Sequence, residues 1–119
     1  MSKRILVIDD LDHMRLMLKL TLELHGYDVI EANQGLAALE LLQADKADLI
    51  FCDVDMPVLN GVEFVRRFRA EYGPGTPIIM LSAENNDTLK ATLAAGATAT
   101  VSKPFEPMQL LAMLEKMLN

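Results

Sequence analysis

The chain has 119 residues, enough for one domain that buries its own core without disulfides or a structural metal. Apolar residues make up 51% and charged residues 24%, which excludes a disordered chain. The net charge of −6 argues against a nucleic-acid-binding surface, and a single cysteine, Cys52, excludes an intrachain disulfide or a cysteine-based zinc site. The opening residues carry an apolar run of only Ile5–Ile8 before Asp9 and Asp10. That is too short for a signal peptide or a membrane span. Together with the lone cysteine it leads us to expect a cytoplasmic protein that touches no membrane.

Strand-like apolar runs are predicted at Arg4–Ile8, Asp28–Ala32, Asp48–Cys52, Pro77–Leu81 and Ala99–Val101. Helical segments are predicted between and after them, at Asp12–His25, Gly35–Ala44, Gly61–Tyr72, Asn86–Ala95 and Pro107–Leu118. Such alternation reads as an α/β fold with a parallel sheet. No repeat, linker or low-complexity tract divides it, so residues 1–119 read as one domain. The first, third and fourth strands are continuously apolar, as strands covered on both faces are. The second and fifth are more polar and fit the edges. An order of 2-1-3-4-5 follows, doubly wound, with helices on both faces.

The first helix contains a misleading signal. Leu16, Leu18, Leu20, Leu22 and Leu24 alternate as in a strand, yet their neighbours are helix formers. Asp12 is expected to cap its start and Gly26 to end it. Met14, Met17, Leu18, Thr21 and Leu22 then form the core face. Leu16, Leu20 and Leu24 widen the apolar arc to roughly 240°, more than one packing face needs. Those three leucines are a candidate docking surface for a partner, or for a second copy in a homodimer.

In open sheets of this kind, ligands bind at the carboxyl ends of the strands, where the winding reverses. Asp9 and Asp10 follow the first strand and Asp53 follows the third, so three carboxylates converge if those strands are neighbours. Two charges about 5 Å apart repel by roughly 3 kcal/mol at an effective dielectric of 20. Such a site needs a raised pKa, a basic side chain or a cation, and few carboxylates with room for water suit Mg²⁺. Ser82 after the fourth strand adds a hydroxyl, and Lys103 after the fifth adds an ammonium. This set suits a phosphoryl group carried on a carboxylate.

Four segments, in this order, resemble the receiver domain of two-component response regulators, the CheY-like family. They are Val7-Ile8-Asp9-Asp10, Asp53-Val54-Asp55-Met56-Pro57 with Asn60-Gly61, Leu81-Ser82-Ala83, and Lys103-Pro104-Phe105. The resemblance spans Ile5 to Leu118. It implies that Asp53 accepts a phosphoryl group from the phosphohistidine of a sensor histidine kinase or a histidine phosphotransfer protein. It implies Mg²⁺ held by Asp9, Asp10, Asp53 and the backbone carbonyl of Asp55. Ser82 would be the switching hydroxyl and Lys103 the phosphoryl-binding lysine, before a cis Lys103-Pro104 bond. Asp55 and Glu84 would border the path of the attacking water.

One position departs from the family pattern. Receivers carry an aromatic residue three positions before the lysine, and this chain has Thr100. The usual readout through the fourth helix, fifth strand and fifth helix is thereby in doubt. Those helices are also poor in charges, which disfavours transcription factors of the OmpR type. Three other readings compete with this one. A degenerate receiver would bind partners without phosphorylation. An aspartate-nucleophile phosphatase would leave Asp9 and Asp10 unexplained. A flavin-binding domain would want a hydroxyl-rich loop after the first strand.

Overall fold

The computed structural model describes residues 2–83 and 86–118. Ten elements alternate: β1 (Arg4–Ile8), α1 (Asp12–Leu24), β2 (Asp28–Ala32), α2 (Gly35–Leu41), β3 (Leu49–Asp53), α3 (Gly61–Tyr72), β4 (Ile78–Ser82), α4 (Asn86–Ala95), β5 (Ala99–Ser102) and α5 (Pro107–Leu118). The strands form one parallel sheet in the order β2-β1-β3-β4-β5. This is the expected topology.

The side-chain period of two divides the central strands between two cores. Leu6 and Ile8 of β1, Ile50 and Cys52 of β3, and Ile78 and Met80 of β4 pack with Ala38 of α2 and Phe64, Val65 and Phe68 of α3. The alternate residues Ile5, Val7, Leu49, Phe51, Ile79 and Leu81 pack with Leu18 and Leu22 of α1 and Leu110, Leu111 and Leu114 of α5. Every residue of β3 and β4 is buried, whereas β2 and β5 are only partly so. Continuous apolar runs thus mark the covered strands, and mixed runs mark the edges.

Three local expectations need correction. Asp12 does not cap α1. The N-cap is Leu11, which makes no side-chain cap hydrogen bond, and Asp9 instead accepts from the Leu11 N–H through Oδ1 at 2.9 Å. Helix α2 ends at Leu41 rather than Ala44, because the chain tightens: Gln43 and Ala44 donate to the carbonyls three residues back, Glu40 and Leu41. Strands β3, β4 and β5 each end one residue later than predicted. Asp53 and Ser82 are therefore the last residues of their strands, and their backbones are held by the sheet. Gly26, at φ +90°, does end α1.

Candidate functional site

The carboxyl ends of β1, β3, β4 and β5 bring the expected residues together. Ile8 pairs with Cys52, so Asp9 and Asp53 leave adjacent strands side by side. Asp53 pairs with Leu81, and Ser82 pairs with Ser102. The sheet's hydrogen bonding continues past the strand ends: Asp9 N–H donates to Ala32 at 3.2 Å, and Lys103 N–H donates to Ser82 at 2.8 Å. Site residues are thus placed by backbone pairing rather than by flexible loops.

Carboxylate oxygens of Asp9, Asp10 and Asp53 lie within 4.8 Å of one another. Asp9 is fully buried, Asp53 is buried and Asp10 is exposed. Lys103 Nζ donates to Asp53 Oδ1 at 3.1 Å and lies 3.8 Å from Asp9 Oδ2. Asp9 Oδ2 accepts no hydrogen bond among the described residues. Burial pushes the Asp53 carboxyl up to about 6, and Asp9 and Asp10 add to the rise, while Lys103 opposes it. One ammonium does not offset three clustered carboxylates. The unpartnered Asp9 oxygen and the residual negative charge fit a small divalent cation held by oxygen ligands.

Ser82 is buried at the end of β4. Thr100 is half-buried in β5, paired with Met80. The Lys103-Pro104 peptide bond is cis. Asp55 is exposed in the loop after β3. Glu84 lies outside the described residues. Leu16, Leu20 and Leu24 lie on the outer face of α1, at 52%, 52% and 85% exposure. His13 and His25 are exposed, and Cys52 is a buried free thiol.

Two residues shape the site in ways that the sequence assigns to neither, although Gly61 belongs to the Asn60-Gly61 motif. Gly61 opens α3 under the end of β3, and a Cβ there would sit 2.6 Å from the Asp53 carbonyl oxygen and 2.8 Å from Val54 Cα. Only glycine fits. The second is Arg15, which donates to the Asp9 carbonyl at 2.7 Å. The Asn-Gly pair at 60–61 hints at a tight boundary, but nothing local to residue 15 signals its contact with residue 9.

Comparison with known proteins places this geometry. The model of the response regulator receiver domain family matches residues 5–115. The chain belongs to that family, whose members are signalling domains rather than conventional enzymes. It is 39% identical over 120 aligned positions to the response regulator GtcR of Aneurinibacillus migulanus, covering all of this chain and 49% of that protein. It is 38% identical to the alkaline phosphatase synthesis transcriptional regulatory protein PhoP of Bacillus subtilis, covering all of this chain and 50% of that protein. The chain therefore spans about half the length of the curated relatives it matches. The fold superposes on the chemotaxis protein CheY4 of Vibrio cholerae with a TM-score of 0.93 at 38% identity, over 99% of this chain and 100% of the other. A response regulator from Thermotoga maritima gives 0.87 at 31% identity, over 99% of this chain and 98% of the other.

Proposed function

We propose that this chain is a phosphoryl-accepting receiver of a two-component phosphorelay, with Asp53 as the acceptor. The observation that carries this reading is the placement of Asp53. Its carboxylate is buried at the end of a central strand, 3.1 Å from Lys103 and clustered with Asp9 and Asp10. A carboxylate oxygen of Asp53 attacks phosphorus, the P–N bond of a donor phosphohistidine breaks, and the imidazole leaves with its electron pair. Lys103 neutralises a phosphoryl oxygen, and the Ser82 hydroxyl donates to another. Asp9, Asp10, Asp53 and the Asp55 carbonyl would hold Mg²⁺, which supplies charge neutralisation at the transferring group.

The phosphoryl donor is a sensor histidine kinase or a histidine phosphotransfer protein, and the setting is cytoplasmic. Among the described residues no helix is long and apolar enough to cross a membrane. The exposed Leu16, Leu20 and Leu24 ridge is the surface offered to the donor protein, through helix-in-groove packing at i, i+4 spacing. The phosphorylated state alters partner binding by shifting the population of conformations around Ser82, Thr100 and Pro104.

Beryllofluoride, a phosphoryl mimic, tests this reading. Amide resonances of Ser82, Thr100 and Lys103 should shift on adding it with Mg²⁺, and should not shift in Asp53→Asn. Shifts that persist in Asp53→Asn would place the acceptor elsewhere.

A further inference from the structure

Asp9 is gripped at three points. Its N–H donates to Ala32, its Oδ1 accepts from Leu11 N–H, and its carbonyl accepts from Arg15 Nη1. Only Oδ2 remains, buried and turned toward Lys103. The Arg15 guanidinium is itself held from two further sides. Nη2 donates to Asp12 Oδ1 at 2.7 Å, and Nε lies 3.4 Å from Glu31 Oε1 on β2. Lys19 Nζ, 3.4 Å from Glu31 Oε2, completes the clamp. The Arg15 side chain is only 17% exposed.

This arrangement poses a question of charge. An arginine beside a carboxylate cluster ordinarily pairs with the carboxylates and competes with any cation. Arg15 does not. Asp12 and Glu31 take its charge from two sides, and its Nη1–H is spent on the neutral Asp9 carbonyl. We propose that Arg15 is a positioning residue for the divalent cation: it locks the end of β1 so that Asp9 Oδ2 faces the crevice, while Glu31 and Asp12 hold the guanidinium off the carboxylate. This deepens the Mg²⁺-dependent reading of the site and rests on it.

The two possible roles of Arg15 have opposite signs. As a bare positive charge near the site, its removal tightens Mg²⁺ binding. As a positioning group, its removal weakens binding, and loss of a partner that orients a metal ligand typically does so by about 10–100-fold. Calorimetric titration of Mg²⁺ into wild type, Arg15→Gln and Arg15→Lys separates them. The expected result is a Kd raised about tenfold in Arg15→Gln. Arg15→Lys keeps the charge but lacks the fork that reaches Asp9 and its clamps together, so several-fold weakening is expected there too. Melting in chelator, followed by circular dichroism, confirms that each variant titrated is folded. Labelling by acetyl phosphate should need more Mg²⁺ for half-saturation and keep its saturated rate within about twofold. An unchanged or lower Kd in both variants overturns the positioning role. A wild type that binds no Mg²⁺ overturns the parent reading instead.

Discussion

Lys103 Nζ stands 3.1 Å from Asp53 Oδ1, yet the Asp53 carboxyl is held above its ordinary range, at about 6. Burial outweighs the Lys103 ammonium. Lys103→Met should therefore raise the Asp53 pKa further, read by ¹³C NMR of the carboxyl in chelator. It should also slow acetyl phosphate labelling by about 100-fold, the scale of losing one preorganised charge-stabilising group. A lowered Asp53 pKa would contradict the electrostatic picture.

The same shift has a stability sign. The folded value lies above the unfolded value of 3.8. Between them the folded state binds more protons than the unfolded state, so stability falls as pH rises from about 4 to about 6 and is flat above. Asp53→Asn escapes this loss. After discounting for solvent beside exposed Asp10, it should be more stable than wild type by about 1–2 kcal/mol at pH 7.5 in chelator. The advantage should vanish below pH 4. Urea unfolding of both proteins across this range checks it.

Gly61 is where α3 meets the floor of the site. Gly61→Ala forces its Cβ against the Asp53 carbonyl and Val54 Cα, backbone atoms that cannot swing away. A loss of about 3 kcal/mol is expected from such overpacking. Gly73→Ala provides the comparison, since its Cβ would meet nothing within 4 Å and its penalty comes from φ +82° alone.

Val58 is strained. It sits at φ +69° in the loop after β3, with Leu59 N–H bonded to the Pro57 carbonyl at 2.8 Å across it. That is a γ-turn centred on a β-branched residue in left-handed space. Its side chain is 80% exposed, so little packing is lost on removal. Strain relief of about 1–3 kcal/mol, less the entropy of an added glycine, predicts that Val58→Gly stabilises by about 1 kcal/mol. A thermal melt shifted upward by roughly 4 °C is the expected observation.

Leu20 is half exposed on the outer ridge of α1, so Leu20→Lys should alter stability by less than about 0.5 kcal/mol. It should slow phosphoryl transfer from a phosphorylated histidine phosphotransfer domain that labels the wild type, by about tenfold. Labelling by acetyl phosphate, which needs no protein docking, should be unchanged. Equal loss with both donors would remove the docking role from this ridge.

Much of this architecture was legible because burial leaves a simple mark. Val7, Phe51 and Met80 sit within unbroken apolar runs, and strands covered on both faces require such runs. Asp9, Asp53, Ser82 and Lys103 stood out because each interrupts or closes a run at the same end of the sheet. Local hydrogen bonding was harder to read. Asp12 and Asp9 are equally plausible partners for the first turn of α1, and only the path of the chain out of β1 selects Asp9. The last turn of α2 differs from a continuing helix by one residue in its hydrogen-bond spacing. The roles of Arg15 and Gly61 depend on backbone atoms brought close by the fold, and no side-chain pattern announces a contact with a carbonyl.

The most direct test is intact-mass analysis after incubation with acetyl phosphate, for wild type and Asp53→Asn, with Mg²⁺ and with chelator. The account expects one labile phosphoryl adduct, removed by hydroxylamine, on the wild type with Mg²⁺. It expects none in chelator and none on Asp53→Asn. An adduct of the same stoichiometry on Asp53→Asn, or one formed equally well without Mg²⁺, would contradict it.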